Sequence, residues 1–169
     1  MDVPEIRLVY PDTPELIAAT REIFREYAHS LDVDLCFQNF EAELAALPGD
    51  YAPPGGHLLL AFVDGALAGC GALRPMPGTD YANACEMKRL YVRPAFRRFG
   101  LGRVIAQALL DEAQQLGYSE VLLDTLDDME AARGLYASLG FEEIPPYYYN
   151  PIPGAHYLKA TLGAMASQY

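Results

Sequence analysis

The sequence predicts an α/β domain built on a mixed, mostly antiparallel sheet of about seven strands, with one central parallel pair and helices on both faces. Three observations carry this. Asp64-Gly65 separates two apolar runs, His57 to Val63 and Ala66 to Leu73, which marks a tight hairpin. A strand at about 83–92, an amphipathic helix and a buried strand at Glu120 to Thr125 follow one another. That order implies a right-handed crossover and a parallel pair. Phe141 to Tyr147 and Ala155 to Leu162 read as a closing antiparallel hairpin.

The remaining elements fit between these. Ile6, Leu8 and Tyr10 alternate with Arg7 and Val9, predicting a first strand at 5–10. Thr13 or Asp12 caps a helix that begins at Pro14 and runs to about residue 30, with Leu16, Ile17, Ile23, Phe24 and Tyr27 at helical spacing. Residues 32–38 read as a loop. A second helix follows near 39–47, with Asn39 as its cap and Pro48-Gly49 as its stop. Residues 48–56 hold four more prolines and glycines after that stop and read as a loop within one domain spanning 1–169. The crossover helix carries Leu101, Val104, Ile105, Ala108, Leu109, Ala113 and Leu116 on one stripe and stops at Gly117. A last helix spans about 129–139, capped by Asp127 or Asp128 and stopped at Gly140.

The composition narrows the function. The chain has 169 residues, 51% hydrophobic and 21% charged, which fits one packed domain rather than disorder. No apolar run approaches the roughly 20 residues of a membrane span, so no membrane role is expected. The start Met-Asp-Val-Pro-Glu lacks the basic and apolar parts of a signal peptide, which predicts a cytoplasmic protein. Cys36, Cys70 and Cys85 show neither disulfide-framework nor zinc spacing and read as reduced thiols. A net charge of −11 argues against nucleic acid as a partner.

Against that acidity, residues 85–103 stand out. The strand ends at Val92, Pro94 blocks further pairing, and Arg97-Arg98-Phe99-Gly100-Leu101-Gly102-Arg103 opens the next helix. Gly100 and Gly102 allow a sharp turn and close approach of a ligand to the backbone. The unpaired N–H groups of a helix start, with three arginines around them, make an anion site. A Walker loop is absent. A dinucleotide fingerprint would place Ile105 where glycine or alanine belongs. The run Arg97 to Gly102 fits a third pattern, [Arg/Gln]-x-x-G-x-[Gly/Ala], in which backbone amides cradle a pyrophosphate.

Leu90-Tyr91-Val92-Arg93-Pro94, the Arg97 to Gly102 turn, and Leu135-Tyr136 with Leu139-Gly140-Phe141 together resemble the GCN5-related N-acetyltransferases (GNAT). The resemblance is strong over the second half of the chain and extends to element order in the first. It implies the acyl-CoA N-acyltransferase fold, with the central parallel pair splayed to admit acetyl-CoA as cosubstrate and with no metal. Main-chain groups near Leu90, Tyr91 and Val92 would pair with pantetheine like an added strand, and the amides of Arg98, Phe99, Gly100, Leu101, Gly102 and Arg103 would hold the pyrophosphate. Tyr136 matches the tyrosine that protonates the departing thiolate; the alternative is a core tyrosine with a satisfied hydroxyl. Glu86 matches the base of the histone-acetylating branch, its pKa raised by an apolar cleft; the alternative is a strand charge paired with Lys88 or Arg89. On an alternating strand Lys88 and Arg89 fall on opposite faces. Many members carry Asn where Met129 stands.

Three features remain. Asp124, Asp127 and Asp128 read as helix caps rather than a cation site. Tyr147 to Tyr149 either wall an acceptor pocket or pack on one another in a proline-braced loop. No role is assigned to His29, His57 or His156. The expected function is acetyl transfer from acetyl-CoA to a primary amine of a small molecule or peptide, by direct attack in a ternary complex. The rivals are a non-catalytic acyl-CoA-binding regulatory module and an interaction protein with no affinity for CoA. An edge strand near the C-terminus offers a route to a homodimer.

Overall fold

The computed structural model describes residues 3–31, 39–126, 130–148 and 154–162, with backbone alone at 126 and 130–133. Cys36, the loop 32–38, Asp127, Asp128, Met129 and Tyr149 lie outside the described residues. The elements in order are β1 (Ile6–Val9), α1 (Pro14–Ser30), α2 (Phe40–Ala46), β2 (His57–Val63), β3 (Ala66–Pro75), β4 (Ala84–Val92), α3 (Leu101–Gln115), β5 (Glu120–Leu126), α4 (Glu130–Ser138), β6 (Glu142–Ile144) and β7 (Ala155–Thr161). Short 3-10 turns at Gly49–Tyr51 and Pro94–Phe99 occupy stretches that read as irregular.

The seven strands form one sheet in the order β1-β2-β3-β4-β5-β7-β6. Every neighbouring pair is antiparallel except β4 and β5. The hairpin between β2 and β3 turns at Asp64 and Gly65, both at positive φ (49° and 85°), as a two-residue turn matching strand twist requires. Thr13 caps α1, its hydroxyl accepting from Leu16 N–H at 3.1 Å, and Pro14 fills the first helical position. Asn39 differs from expectation. It precedes α2 in a left-handed conformation (φ 56°) and its side chain makes no capping bond.

Two apolar clusters sandwich the sheet. On one face α3 and α4 pack Leu101, Ile105, Leu109 and Tyr136 against Leu73, Met87, Val121 and Leu123. On the other, α1 and α2 pack Ile23, Phe24, Phe40 and Leu44 against Leu58, Leu60, Cys70 and Tyr91. Cys70 and Cys85 are buried free thiols. No helix among the described residues is long and apolar enough to cross a membrane.

The register between β3 and β4 slips by one residue. Cys70 pairs with Tyr91 and Ala72 with Lys88, so β4 carries the extra residue of a bulge. Arg89 sits there at φ 61°, left-handed although not glycine. The bulge resets the alternation: Cys85, Met87, Leu90 and Val92 face α3, while Lys88 and Arg89 share the α1/α2 face. The expectation that Lys88 and Arg89 point to opposite faces is therefore corrected, because strict alternation holds only in an unbroken ladder.

Close approach of α3 to the sheet requires a bare backbone on β3. A Cβ built on Gly69 would lie 2.8 Å from the Tyr91 carbonyl oxygen and 2.9 Å from Ile105 Cδ1. Gly69→Ala should lower stability by about 1–3 kcal/mol through overpacking. Urea unfolding should show this as an earlier midpoint with an unchanged slope.

Candidate active site

The parallel pair is held by only three rungs: Ala84 with Glu120, Cys85 with Val121, and Glu86 with Leu122. Beyond them β4 and β5 part, and the ladder between the two strands does not continue past Glu86 and Leu122. Extending the register would set Lys88 opposite Asp124. Glu86, Lys88 and Asp124 share the α1/α2 face, because their neighbours Cys85, Met87 and Leu123 belong to the α3 cluster.

Glu86 is fully buried and fully engaged. Arg74 Nε donates to Oε1 at 2.8 Å, Lys88 Nζ lies 3.7 Å from the same oxygen, and the Tyr147 hydroxyl donates to Oε2 at 2.7 Å. Burial alone would raise the carboxyl pKa, but the charges of Lys88 and Arg74 and the bonds from Tyr147 and Arg74 outweigh it, so it lies below the ordinary carboxylate value. The expected rise is thus reversed, because the cleft around Glu86 is polar rather than apolar. Lys88 shifts down, driven by burial and partly offset by Glu86.

Of the two arrangements expected for the tyrosine loop, the structure shows the packing of its rings on one another. Tyr147 and Tyr148 pack on each other and on Tyr157 of β7, with ring centroids 5.4 to 5.7 Å apart. Tyr147 reaches Glu86 on β4, and Tyr148 donates to Asp124 Oδ2 on β5 at 2.6 Å. Both carboxylates flank the gap, so the loop is tied to each of the two strands that part.

Arg89 turns the other way along the same face. Its Nε and NH2 grip the two oxygens of Glu43 at 3.0 and 2.8 Å, with the guanidinium 5.0 Å from the Phe40 ring centroid. Tyr27 of α1 lies near, its phenol pushed up to about 12 by burial, with Arg89 lowering it and Asp124 raising it.

Tyr136 of α4 is buried, its ring 5.5 Å from Phe141 in an edge-on contact. Its hydroxyl makes no hydrogen bond among the described residues. Burial, then Tyr27 and Asp124, raise its pKa strongly, so the phenol stays protonated.

The arginine turn folds as the 3-10 turn Pro94–Phe99, and Gly100 (φ 67°) joins it to α3. Val104 N–H donates to the Gly100 carbonyl at 3.3 Å, the first bond of the helix. The N–H groups of Leu101, Gly102 and Arg103 therefore have no intrahelical acceptor. The arginine side chains brace the turn. Arg97 Nε donates to the Val92 carbonyl (2.9 Å), Arg98 to the Ala95 carbonyl (3.2 Å) and Arg103 to Ser138 Oγ of α4 (2.6 Å). Arg98 also lies over Phe99, whose ring is 6.4 Å from Phe96. Leu90 and Val92 face the α3 core, Tyr91 bonds Glu26 on the opposite face, and Leu101 is buried, leaving its N–H as its polar contribution. A Cβ on Gly102 would lie 3.5 Å from Leu135 Cδ2, an ordinary contact, so a side chain at this helical position is sterically admissible.

Arg74 and Asp124 escaped the sequence reading as site residues. Arg74 sits at a predicted strand end beside a turn, and nothing local signals its partner. Asp124 was visible only as one of three nearby aspartates; a register count from Glu86 would have placed it across the gap from Lys88.

Residues 16–141 match the model of the Acetyltransferase (GNAT) family. An N-acetyltransferase of Schizosaccharomyces pombe is 40% identical over 86% of this chain and 88% of its own. The IAA acetyltransferase of Azospirillum brasilense is 31% identical over 66% of this chain and 71% of its own. Among solved structures, an acetyltransferase of Streptococcus agalactiae superposes with a TM-score of 0.74 at 17% identity, covering 93% of this chain and 98% of that one. A Salmonella typhimurium protein solved with its cofactor acetyl-CoA gives 0.69 at 21% identity, covering 92% and 93%.

The depressed pKa of Glu86 has a consequence for stability. Its contribution is present above the unfolded carboxyl pKa, about 4.3, and is lost as pH falls through the lower folded value. Glu86→Gln should destabilise the protein by about 3 kcal/mol near neutrality, because Arg74 and Lys88 lose their buried counter-charge. That deficit should hold between about pH 5 and 7 and shrink below about pH 4. Urea midpoints of both proteins across this range check the sign.

Proposed function

The chain belongs to the GNAT family of acetyltransferases, and from that membership we propose that it transfers the acetyl group of acetyl-CoA to a primary amine of a small molecule or peptide, by direct attack in a ternary complex. The observation that carries this reading is the set of unspent N–H groups of Leu101, Gly102 and Arg103 at the open end of a parallel pair with three rungs. Helix-start amides hold an anion without a counter-ion of their own, and the dipole of α3 adds to the attraction.

In this reading the pyrophosphate of acetyl-CoA rests on the turn from Arg98 to Arg103, and pantetheine runs along β4 near Leu90, Tyr91 and Val92. Acetyl-CoA supplies the thioester carbon that the amine attacks and the sulfur that departs. The arginines keep the turn rigid, since each is bonded to a carbonyl or hydroxyl within the fold. The acceptor amine enters from the α1/α2 face, where Glu86 and Asp124 attract it as an ammonium. Glu86, held ionised by Arg74 and Lys88, orients that ammonium, and the proton leaves to water. Tyr136, protonated and with its hydroxyl unused by the described residues, donates to the departing sulfur. Burial keeps the phenol protonated, so its O–H is in place to donate as charge develops on the sulfur.

Two measurements test the reading. Gly102→Leu should fold as well as the parent, because a helical glycine is replaced by a better helix former. Its affinity for acetyl-CoA by titration calorimetry should fall about tenfold or more as the side chain fills the anion cradle; an absence of acetyl-CoA binding in the parent would end the enzyme reading. Tyr136→Phe should lower kcat by about 100-fold, with little change in acetyl-CoA affinity. Equal turnover by both proteins would remove the acid role.

A further inference from the structure

A groove of about 280 Å³ opens beside α2 and the 3-10 turn that follows it, on the face where the acceptor enters. Arg74 forms one wall. Its partner across the β3–β4 ladder is Glu86, and its Nε is bonded to that carboxylate, so one side of the guanidinium belongs to the acetyl-transfer site. The other side faces the groove. There, among the described residues, NH2 has the Met76 thioether at 3.8 Å, and NH1 has a long ion pair at 3.9 Å with Asp50, a carboxylate that also lines the groove and is 80% exposed. Two guanidinium nitrogens thus line the groove with no oxygen acceptor at hydrogen-bond distance among the described residues.

The other polar groups lining the groove sharpen the chemistry. Glu43 has both oxygens taken by Arg89, so it does not answer Arg74. The Tyr51 hydroxyl is buried and has no hydrogen-bond partner among the described residues. It lies near Glu43, whose oxygens are engaged by Arg89, and close enough to Arg74 for the two to interact electrostatically. Asn39 adds an amide at the mouth. The donors left over are a guanidinium edge and a phenol. A planar guanidinium with two free N–H groups matches a carboxylate in two-pronged fashion.

We propose that this groove is the distal acceptor subsite and that it takes a carboxylate, bound on the free edge of Arg74. The acceptor is then an amino acid-like compound, with its amine in the gap between β4 and β5 and its carboxylate on the far side of Glu86. Arg74 is a specificity-determining residue that joins the two ends of this site. The inference rests on the acetyltransferase reading above, and its test separates the two.

Initial rates with glycine, β-alanine and 4-aminobutyrate are compared with those for the corresponding amino-amides, which keep each spacing but lose the charge. For the spacing that fits, the acid should exceed its amide in kcat/KM by about tenfold or more, as expected for a charged hydrogen-bonded pair. Arg74→Gln should bring that ratio to about one while acetyl-CoA affinity is unchanged. Ala46→Trp, which fills the groove and leaves Arg74 in place, should raise KM for the acid and not for the amide. Calorimetric titration of the same acids and amides reads the groove without turnover. Amides used and bound as well as acids, or a preference that survives Arg74→Gln, would overturn the subsite. A parent protein that binds no acetyl-CoA would instead overturn the enzyme reading, and the acid-over-amide binding difference would still decide the groove.

Discussion

The grip of Glu43 on Arg89 is the interaction on which the site depends. A left-handed backbone at a residue with a long side chain costs about 1–2 kcal/mol and persists only where the surroundings impose it. Here a carboxylate from α2 takes the guanidinium with both oxygens, and the Phe40 ring lies against it. The pair is buried, so breaking it would leave a charge in the core. It therefore holds the bulge in β4 open, and the bulge brings Lys88 and Arg89 to one face while returning Leu90 and Val92 to the α3 core. Without it, β4 would present a different set of side chains to the gap beside β5.

The same face concentrates charge in a way the acidic composition conceals. Within a chain of net charge −11, Arg74, Lys88 and Arg89 cluster on two adjacent strands; Glu86 answers the first two and Glu43 the third. Glu86 carries the heaviest load, with Arg74, Lys88 and Tyr147 all on its two oxygens. This explains why a fully buried carboxyl remains ionised, and it makes Glu86 an organiser of neighbouring groups. Tyr147 and Tyr148 extend the organisation, since one reaches each strand across the gap. Tyr136 stands apart from this network, with a hydroxyl to which the described residues offer no partner.

Much of the fold was legible in the sequence because its signals are local. Asp64-Gly65 gave the hairpin through turn stereochemistry, Thr13-Pro14 gave the start of α1 through capping, and the strand–helix–strand order gave the parallel pair. The arginine turn was legible for the same reason: its glycines and charges lie within seven residues. What the sequence hid depends on distant partners. Arg89 at the bulge takes its partner Glu43 from 46 positions away, and no local residue type announces the bulge. The direction of the Glu86 pKa depends on Arg74 and Tyr147, which only folding brings to it. Asn39 shows the converse, a capping residue type whose side chain makes no cap.

The three rungs between β4 and β5 also give the molecule a mechanical character. Strands β1 to β4 form one plate and β5, β7 and β6 another, and the direct seam in the sheet is a ladder three residues long at one end. Plates joined along one short edge resist shear in their own planes better than they resist opening at the free end. Leverage on the seam is greatest at that free end. A ligand that paired along β4 there would join the two plates beyond the three rungs that hold them.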